Sequence, residues 1–206
     1  MIETPKKLPE VSAKKIKTAI LISGRGSNMK ALIEACRADD FPAEISVVIS
    51  NKKDAAGLQF AKSNNIKTVF INHKDFSSRE SFDQQVSKVV AESNCQFICL
   101  AGFMRILSPW FVNKWANRLI NIHPSLLPAF KGENAVKDAL NYGVKYSGCT
   151  VHFVTEQMDA GPIISQAVVK VMENDSEETL AARILEQEHL IYKQALAKVC
   201  RDLLNN

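Results

Sequence analysis

Several features that are missing from this 206-residue sequence exclude whole classes of protein. No apolar run approaches the roughly 20 residues of a membrane-spanning helix, and the Lys-rich N-terminus lacks the apolar segment of a secretory signal. The five cysteines are an odd number without a Cys-x-x-Cys pair, which argues against a disulfide framework and a cysteine zinc site. We therefore expect a cytoplasmic protein with no metal and no membrane partner.

The sequence also lacks a strong charge of either sign, because its formal net charge is only +4. Residues 1–17 contain five lysines and two glutamates, so most of the excess lies there. A solvated tail explains this pattern better than nucleic-acid binding does. We expect residues 1–16 to form a flexible basic extension, residues 17–206 to form one domain, and nucleic acid to be absent from the partners.

Apolar strand-like runs alternate with amphipathic helical segments along most of the chain. The predicted strands are 19–22, 45–50, 68–71, 97–100 and 119–122, and the clearest helices are 55–64, 78–93 and 135–142. This alternation is typical of a mostly parallel sheet with helices on both faces. Strands 147–154 and 163–172 have no helix between them, which predicts an antiparallel C-terminal pair. With a long helix from about 176 to 204, the sequence predicts a single-domain, Rossmann-like α/β fold.

The first predicted strand ends in the glycine-containing segment Gly24–Asn28. Glycines let the backbone approach a ligand, and the start of the next helix offers free N–H groups to a phosphate. The alternative is an ordinary tight turn with Asn28 as the helix cap, and these residues alone leave both interpretations open. Met29 occupies the place of the third glycine of a dinucleotide-binding fingerprint, so that type of site is not predicted.

The segment 102–107, Gly-Phe-Met-Arg-Ile-Leu, follows the fourth predicted strand. Apolar residues at the ligand-binding edge of a parallel sheet could hold a flat aromatic ligand. Taken alone, however, the segment favours local core packing.

Asn121 and His123 form the most informative pair, because alternate residues of a strand point to the same side. An amide can donate a hydrogen bond to a developing oxyanion, and an imidazole can transfer a proton near neutral pH. A lone histidine at a strand end is more often structural, but the asparagine two residues earlier favours a catalytic interpretation.

Two carboxylates are further candidates. Asp159 lies in the hairpin loop 155–162, where an ordinary turn role is a serious alternative; placed close to His123, its carboxylate would favour the imidazolium form. Glu188 lies within the apolar stripe of the last helix. The helix pattern favours the solvated edge of that stripe over a role in holding a polar ligand.

Together these segments make the chain similar to the phosphoribosylglycinamide formyltransferases of purine biosynthesis. The matching stretches are SGRGSN (23–28), LAGFMRILSP (100–109), NIHPSLLP (121–128), VHFVTEQMDAGPII (151–164) and QEH (187–189). The resemblance extends from about Lys17 to the end of the chain. It implies transfer of a formyl group from 10-formyltetrahydrofolate, the co-substrate, to the amine of glycinamide ribonucleotide.

The resemblance also implies roles for individual residues. The implied catalytic residues are Asn121, His123 and Asp159. The implied ligands of the ribonucleotide phosphate and glycinamide are Gly26, Ser27, Asn28 and Glu188. The implied folate-binding residues are Arg79, Met104, Arg105, Ile106, Leu107 and Asn121. The chain departs from the family at Asn134, where many bacterial members have histidine, and at Ala160, where some have glycine.

In the implied reaction, the neutral amine attacks the formyl carbon on N10 of the folate. Asn121 stabilises the oxygen as it becomes anionic, protonated His123 assists, and Asp159 holds the imidazolium and orients a water. The proton then passes from the amine to N10, and no metal is required. We expect a monomer or weak homodimer, and we expect the loop 130–134 to close over the folate.

Three other functions each explain part of the sequence. A formyltetrahydrofolate hydrolase would need no phosphate-type loop and would be expected to carry an extra N-terminal domain. A formyltransferase for initiator tRNA would be expected to carry an additional C-terminal domain and a more basic surface. A non-catalytic nucleotide-binding module would explain the glycine segment but not the three polar residues at 121, 123 and 159.

Overall fold

The computed structural model describes residues 14–205, which form one seven-stranded sheet with α-helices around it. In chain order the elements are β1 (Ile16–Ile22), α1 (Ser27–Ala35), β2 (Ala43–Ser50), α2 (Ala56–Ser63), β3 (Lys67–Phe70), α3 (Arg79–Glu92), β4 (Phe97–Leu100), α4 (Pro109–Lys114), β5 (Leu119–His123), α5 (Ala135–Tyr142), β6 (Tyr146–Phe153), β7 (Ile163–Lys170) and α6 (Glu177–Asn205). A short 3₁₀ turn, His73–Asp75, lies between β3 and α3. The predicted α/β class, the antiparallel C-terminal pair and the long last helix are confirmed.

The strands lie in the order β3-β2-β1-β4-β5-β6-β7. The first five strands in chain order pair in parallel, whereas β6 is antiparallel to β5 and β7 is antiparallel to β6. The order reverses between β1 and β4, the switch point at which open α/β sheets bind ligands. The loops that leave these two strands are in contact, because the Ser23 N–H donates to the Gly102 carbonyl at 3.0 Å.

The core consists of two apolar layers, one on each face of the sheet. In β1, Ile20 and Ile22 belong to the layer beneath α1 and α6, whereas Leu21 belongs to the layer beneath α3 and α4. Because both faces are covered, the central strands are apolar at nearly every position. The polar residues of the predicted site lie at the carboxyl edge of the sheet.

The first strand begins earlier than the sequence predicted. Ile16, which the prediction placed at the end of the basic extension, is buried, and its N–H donates to the Pro42 carbonyl at 2.8 Å. The prediction for residues 1–13 lies outside the described residues. From residue 14 to residue 205, no helix is both long enough and apolar enough to cross a membrane.

Candidate functional site

The polar face predicted on β5 is present at the carboxyl end of that strand. Asn121 is half-buried, and His123 is only 5% exposed. Strand β6 runs beside them in the register that sets Asn121 opposite His152. Three polar side chains therefore meet where the parallel part of the sheet gives way to the antiparallel part.

His123 is held at both ring nitrogens. Its Nε2 donates to the Phe130 carbonyl at 2.9 Å, and its Nδ1 lies 3.5 Å from Asp159 Oδ2. A carbonyl oxygen and a carboxylate both accept hydrogen bonds, so only the imidazolium form can donate to both partners. The structure thus brings Asp159 to His123 as expected, while the catalytic role of the pair stays a prediction.

Asp159 is both a turn residue and a site residue. Its backbone is left-handed, with φ near +48°, a conformation that aspartate adopts more readily than most residues. Its Oδ2 also accepts the Gly132 N–H at 2.9 Å. The carboxylate therefore connects the hairpin loop to the loop 130–134, which was the predicted closing loop.

His152 is a site residue that the sequence analysis did not single out. It is 2% exposed, and its Nδ1 donates to the Phe153 carbonyl at 2.9 Å. Its Nε2 can then accept a hydrogen bond from Asn121 Nδ2, which lies 3.4 Å away. Burial lowers the pKa of His152 below its ordinary value and so favours this neutral form. The contact depends on the β5–β6 register, which no local pattern in the sequence specifies.

A cavity of about 410 Å³ opens beside Asn121 and Asp159, a size ordinary for a small-molecule site. Its walls are formed by Leu100, 103–107, Val112, Asn121, 132–133, His152, 154–156 and 158–159. Met104 and Ile106 are 56% and 60% exposed, whereas Leu107 is buried. Core packing, which the segment alone favoured, therefore holds for Leu107 but is wrong for Met104 and Ile106. An apolar slot next to polar groups suits a flat ring with polar edges.

Asp83 of α3 supports this slot from beneath, and no sequence pattern singles it out. Its Oδ2 accepts the Ser108 N–H at 2.5 Å, and it is 1% exposed. Burial raises the pKa of Asp83, opposed by the Ser108 hydrogen bond and by the charges of Arg105 and Arg79. Arg79, at the start of α3, acts on Asp83 through its charge but does not line the cavity.

The glycine segment on the other side of the switch point has a backbone conformation that lets a ligand approach closely. Gly26 precedes α1 in the left-handed conformation, with φ near +70°, and no side chain caps the helix. Gly57 of α2 packs against this turn, and its N–H donates to the Gly24 carbonyl at 3.2 Å. A Cβ atom on Gly57 would lie 2.5 Å from Ile22 Cδ1 and 3.2 Å from the Gly24 carbonyl oxygen, so a larger residue there would force Ile22 to move. The helix therefore presents uncapped first-turn N–H groups.

Asn28 and Glu188 form a buried pair behind this turn. Asn28 Nδ2 donates to Glu188 Oε2 at 2.7 Å, and Glu188 is 6% exposed. Two interpretations are therefore wrong: Asn28 is not the helix cap, and Glu188 is not at a solvated edge. The pattern of the last helix could not predict the burial of Glu188, because it does not show that α1 packs on α6. Burial raises the pKa of Glu188, and the Asn28 hydrogen bond opposes that rise.

Ser23 joins the two sides of the site. Its hydroxyl donates to Asn51 Oδ1 at 2.6 Å and accepts the Met104 N–H at 2.8 Å. The glycine turn after β1 is thereby fixed against the apolar slot after β4. Asn134, one of the two departures from the family, is exposed and lies outside the cavity wall.

Within residues 14–205, no three His, Cys, Asp or Glu side chains are grouped so as to hold a metal ion. The expectation of a reaction without metal stays a prediction.

Comparisons with known proteins agree with this geometry. The family model described as formyl transferase matches residues 16–196. The phosphoribosylglycinamide formyltransferase of Escherichia coli (strain K12) is 45% identical over 173 residues, which cover 84% of this chain and 82% of that protein. The trifunctional purine biosynthetic protein adenosine-3 of Gallus gallus is 49% identical over 92% of this chain. The chain spans only 19% of the length of that larger relative.

A solved structure gives the same result. The glycinamide ribonucleotide transformylase 1 of Symbiobacterium toebii superposes with a TM-score of 0.90 at 41% sequence identity. The match covers 91% of this chain and 89% of that one.

Proposed function

The chain belongs to the phosphoribosylglycinamide formyltransferases, within the formyl transferase family, and we propose on this basis that it transfers a formyl group from 10-formyltetrahydrofolate to the amine of glycinamide ribonucleotide. The observation that carries the proposal is the contact between Asp159 and His123 beside Asn121, at the cavity edge. These groups supply what acyl transfer to an amine needs: a donor for the oxyanion and a held proton.

Asn121 is the donor to the formyl oxygen. One hydrogen of its amide nitrogen is engaged by His152, which leaves the other for a ligand in the cavity. Such a donor acts most strongly when it is held in place before the charge develops. His152 fixes the amide in this way and is a positioning residue.

His123 and Asp159 control the proton. The new bond joins the substrate nitrogen to the formyl carbon, the bond from that carbon to N10 breaks, and one proton moves from the amine to N10. Asp159 borders the cavity, and its carboxylate holds the His123 ring through the contact to Nδ1 at 3.5 Å. The proton travels through a water beside Asp159 or through His123.

The two substrates occupy the two sides of the switch point. The phosphate of the ribonucleotide lies at the start of α1, on Gly26, Ser27 and Asn28, where uncapped N–H groups favour an anion. Glu188 contacts the glycinamide. The folate ring enters the slot at 104–107, and Arg79, outside the cavity, takes a carboxylate of the folate tail.

A direct assay tests the proposal. The purified protein, mixed with glycinamide ribonucleotide and 10-formyltetrahydrofolate, is expected to change the folate absorbance only when both substrates are present, and EDTA is expected to leave the rate unchanged. Turnover without the ribonucleotide would indicate a hydrolase, and no turnover at all would indicate a binding module. Either result would overturn the proposal.

Replacing Asp83 with asparagine is expected to raise the KM for the folate by about tenfold with little change in kcat. The variant keeps the shape of the side chain but loses a charge-assisted hydrogen bond to Ser108, which is worth about 1.5–3 kcal/mol. The KM for each substrate and kcat should be measured separately. Asp138→Asn, on the exposed face of α5, is the matched control. Equal increases in both KM values would contradict a role confined to the folate slot.

Replacing Glu188 with glutamine is expected to raise the KM for the ribonucleotide by roughly 10–100-fold, the effect of losing a charged hydrogen-bond partner. It should also raise the melting temperature near neutral pH by a few degrees, since 1 kcal/mol corresponds to about 2–4 °C at this chain length.

The sign of the stability effect follows from the raised pKa of Glu188. The folded protein keeps this proton at a pH where the unfolded chain, near the ordinary value of 4.5, has lost it. Proton binding by Glu188 therefore stabilises the fold fully below pH 4.5, and this stabilisation is lost as the pH rises through the raised pKa of Glu188. The advantage of the glutamine variant should shrink as the pH falls toward 4.5. A melting-temperature difference that is independent of pH would contradict this reasoning.

A further inference from the structure

A second cavity, of about 600 Å³, opens at the carboxyl ends of β1, β2 and β3. Its walls are formed by Ser23, Gly24, Arg25, 51–56, Phe70 and 72–74. It shares no wall residue with the cavity beside Asn121. The proposed formyl-transfer reaction leaves this second cavity without a role.

The charge around the second cavity is mostly positive. Arg25, Lys52, Lys53 and Lys74 are all exposed at its wall, and Asp54 is its only carboxylate. None of the four cations forms an ion pair with another of residues 14–205. The whole chain is nearly balanced, with 26 basic and 22 acidic residues. Cations that share one wall repel one another, and a bound anion would relieve that repulsion.

The start of α2 adds one neutral donor to the same wall. Ala55 precedes the helix without a side-chain cap, and the first turn contains no acidic residue. The Gly57 N–H donates to the Gly24 carbonyl, whereas the Ala56 N–H has no protein acceptor in the described part of the chain. A free N–H at a helix start, with lysines nearby, is suited to a phosphate.

Another part of the wall is suited to a flat ring. Phe70, the last residue of β3, is 41% exposed at the cavity. An exposed aromatic face stacks on a planar ring.

We propose that this cavity is a second ligand site, for a phosphomonoester that carries a flat ring, the chemistry of a nucleoside monophosphate. The phosphate lies on Lys52, Lys53 and the start of α2, and the ring lies on Phe70. The volume of about 600 Å³ accommodates both parts of such a ligand.

Calorimetric titration of the full chain with AMP tests the site, and saturating glycinamide ribonucleotide is added so that the proposed substrate site is already filled. AMP is expected to bind under these conditions, more tightly than inorganic phosphate or adenosine, because each of those carries only part of the ligand. Binding should weaken as the salt concentration rises.

Two variants and one control locate the binding. The Lys52→Ala/Lys53→Ala double variant should bind AMP at least about tenfold more weakly, a loss of about 1.4 kcal/mol, with both substrate KM values unchanged. Lys62→Ala/Lys88→Ala removes the same charge from exposed helix positions outside the cavity and should bind like the unmodified protein. Phe70→Ala should weaken the binding of AMP but not that of phosphate.

Three results would overturn the proposal. They are the absence of AMP binding, complete displacement of AMP by the ribonucleotide, and equal affinity of both lysine double variants. If phosphate bound as tightly as AMP, the assignment of a ring-bearing ligand would be wrong.

Discussion

Replacing Asn121 with alanine is expected to lower kcat by about 10²–10³-fold, the usual cost of losing one oxyanion donor. The side chain lines the cavity, and its amide nitrogen is already oriented by His152 at 3.4 Å. Alanine removes the donor and leaves the strand hydrogen bonds of β5 intact. The KM for the folate should change much less than kcat, because the lost interaction is made mainly in the transition state.

The measurement is kcat and both KM values for a variant whose melting temperature matches that of the unmodified protein. Asn141→Ala, an exposed position on α5, is the control for loss of an amide. Near-normal kcat in a folded Asn121→Ala protein would remove Asn121 from the mechanism.

A double-mutant cycle separates the positioning role of His152 from a direct role. If His152 acts only by orienting Asn121, then His152→Ala should lower kcat in the unmodified protein. It should cost nothing further in the Asn121→Ala background. Additive effects would show that His152 contributes independently of Asn121.

The fold was largely predictable because its signals are local. Apolar runs alternating with helical segments specify a covered parallel sheet, and the two helix-free runs at 147–154 and 163–172 specify the antiparallel pair. Strand alternation was enough to put Asn121 and His123 on one face.

The rest of the site depends on contacts between distant segments. Asn28 and Glu188 are 160 residues apart in the chain, so helix periodicity alone misplaced Glu188 at a solvated edge. His152 meets Asn121 only through the β5–β6 register, and the Asp83 contact to Ser108 joins α3 to α4. None of these pairings has a sequence signature, because packing between elements decides them.

Replacing Asp159 with asparagine is expected to lower kcat by about 10²–10⁴-fold, the range that a positioned proton-transfer group contributes. The variant removes the charge that faces His123 Nδ1 at 3.5 Å. Its carbonyl oxygen can still accept the Gly132 N–H, so the loop 130–134 stays attached. Asparagine also tolerates the left-handed backbone at this position, where φ is near +48°.

Asparagine therefore removes the charge but keeps the hydrogen bond from Gly132, whereas alanine would remove both. The KM for the folate should stay within about threefold of normal, since the apolar slot is untouched and threefold is well under 1.4 kcal/mol. Asp40→Asn, in an exposed loop, controls for loss of a surface carboxylate. An unchanged rate would mean that Asp159 only shapes the turn. A lower kcat with a retained folate KM would instead show that the reaction needs the negative charge that faces His123.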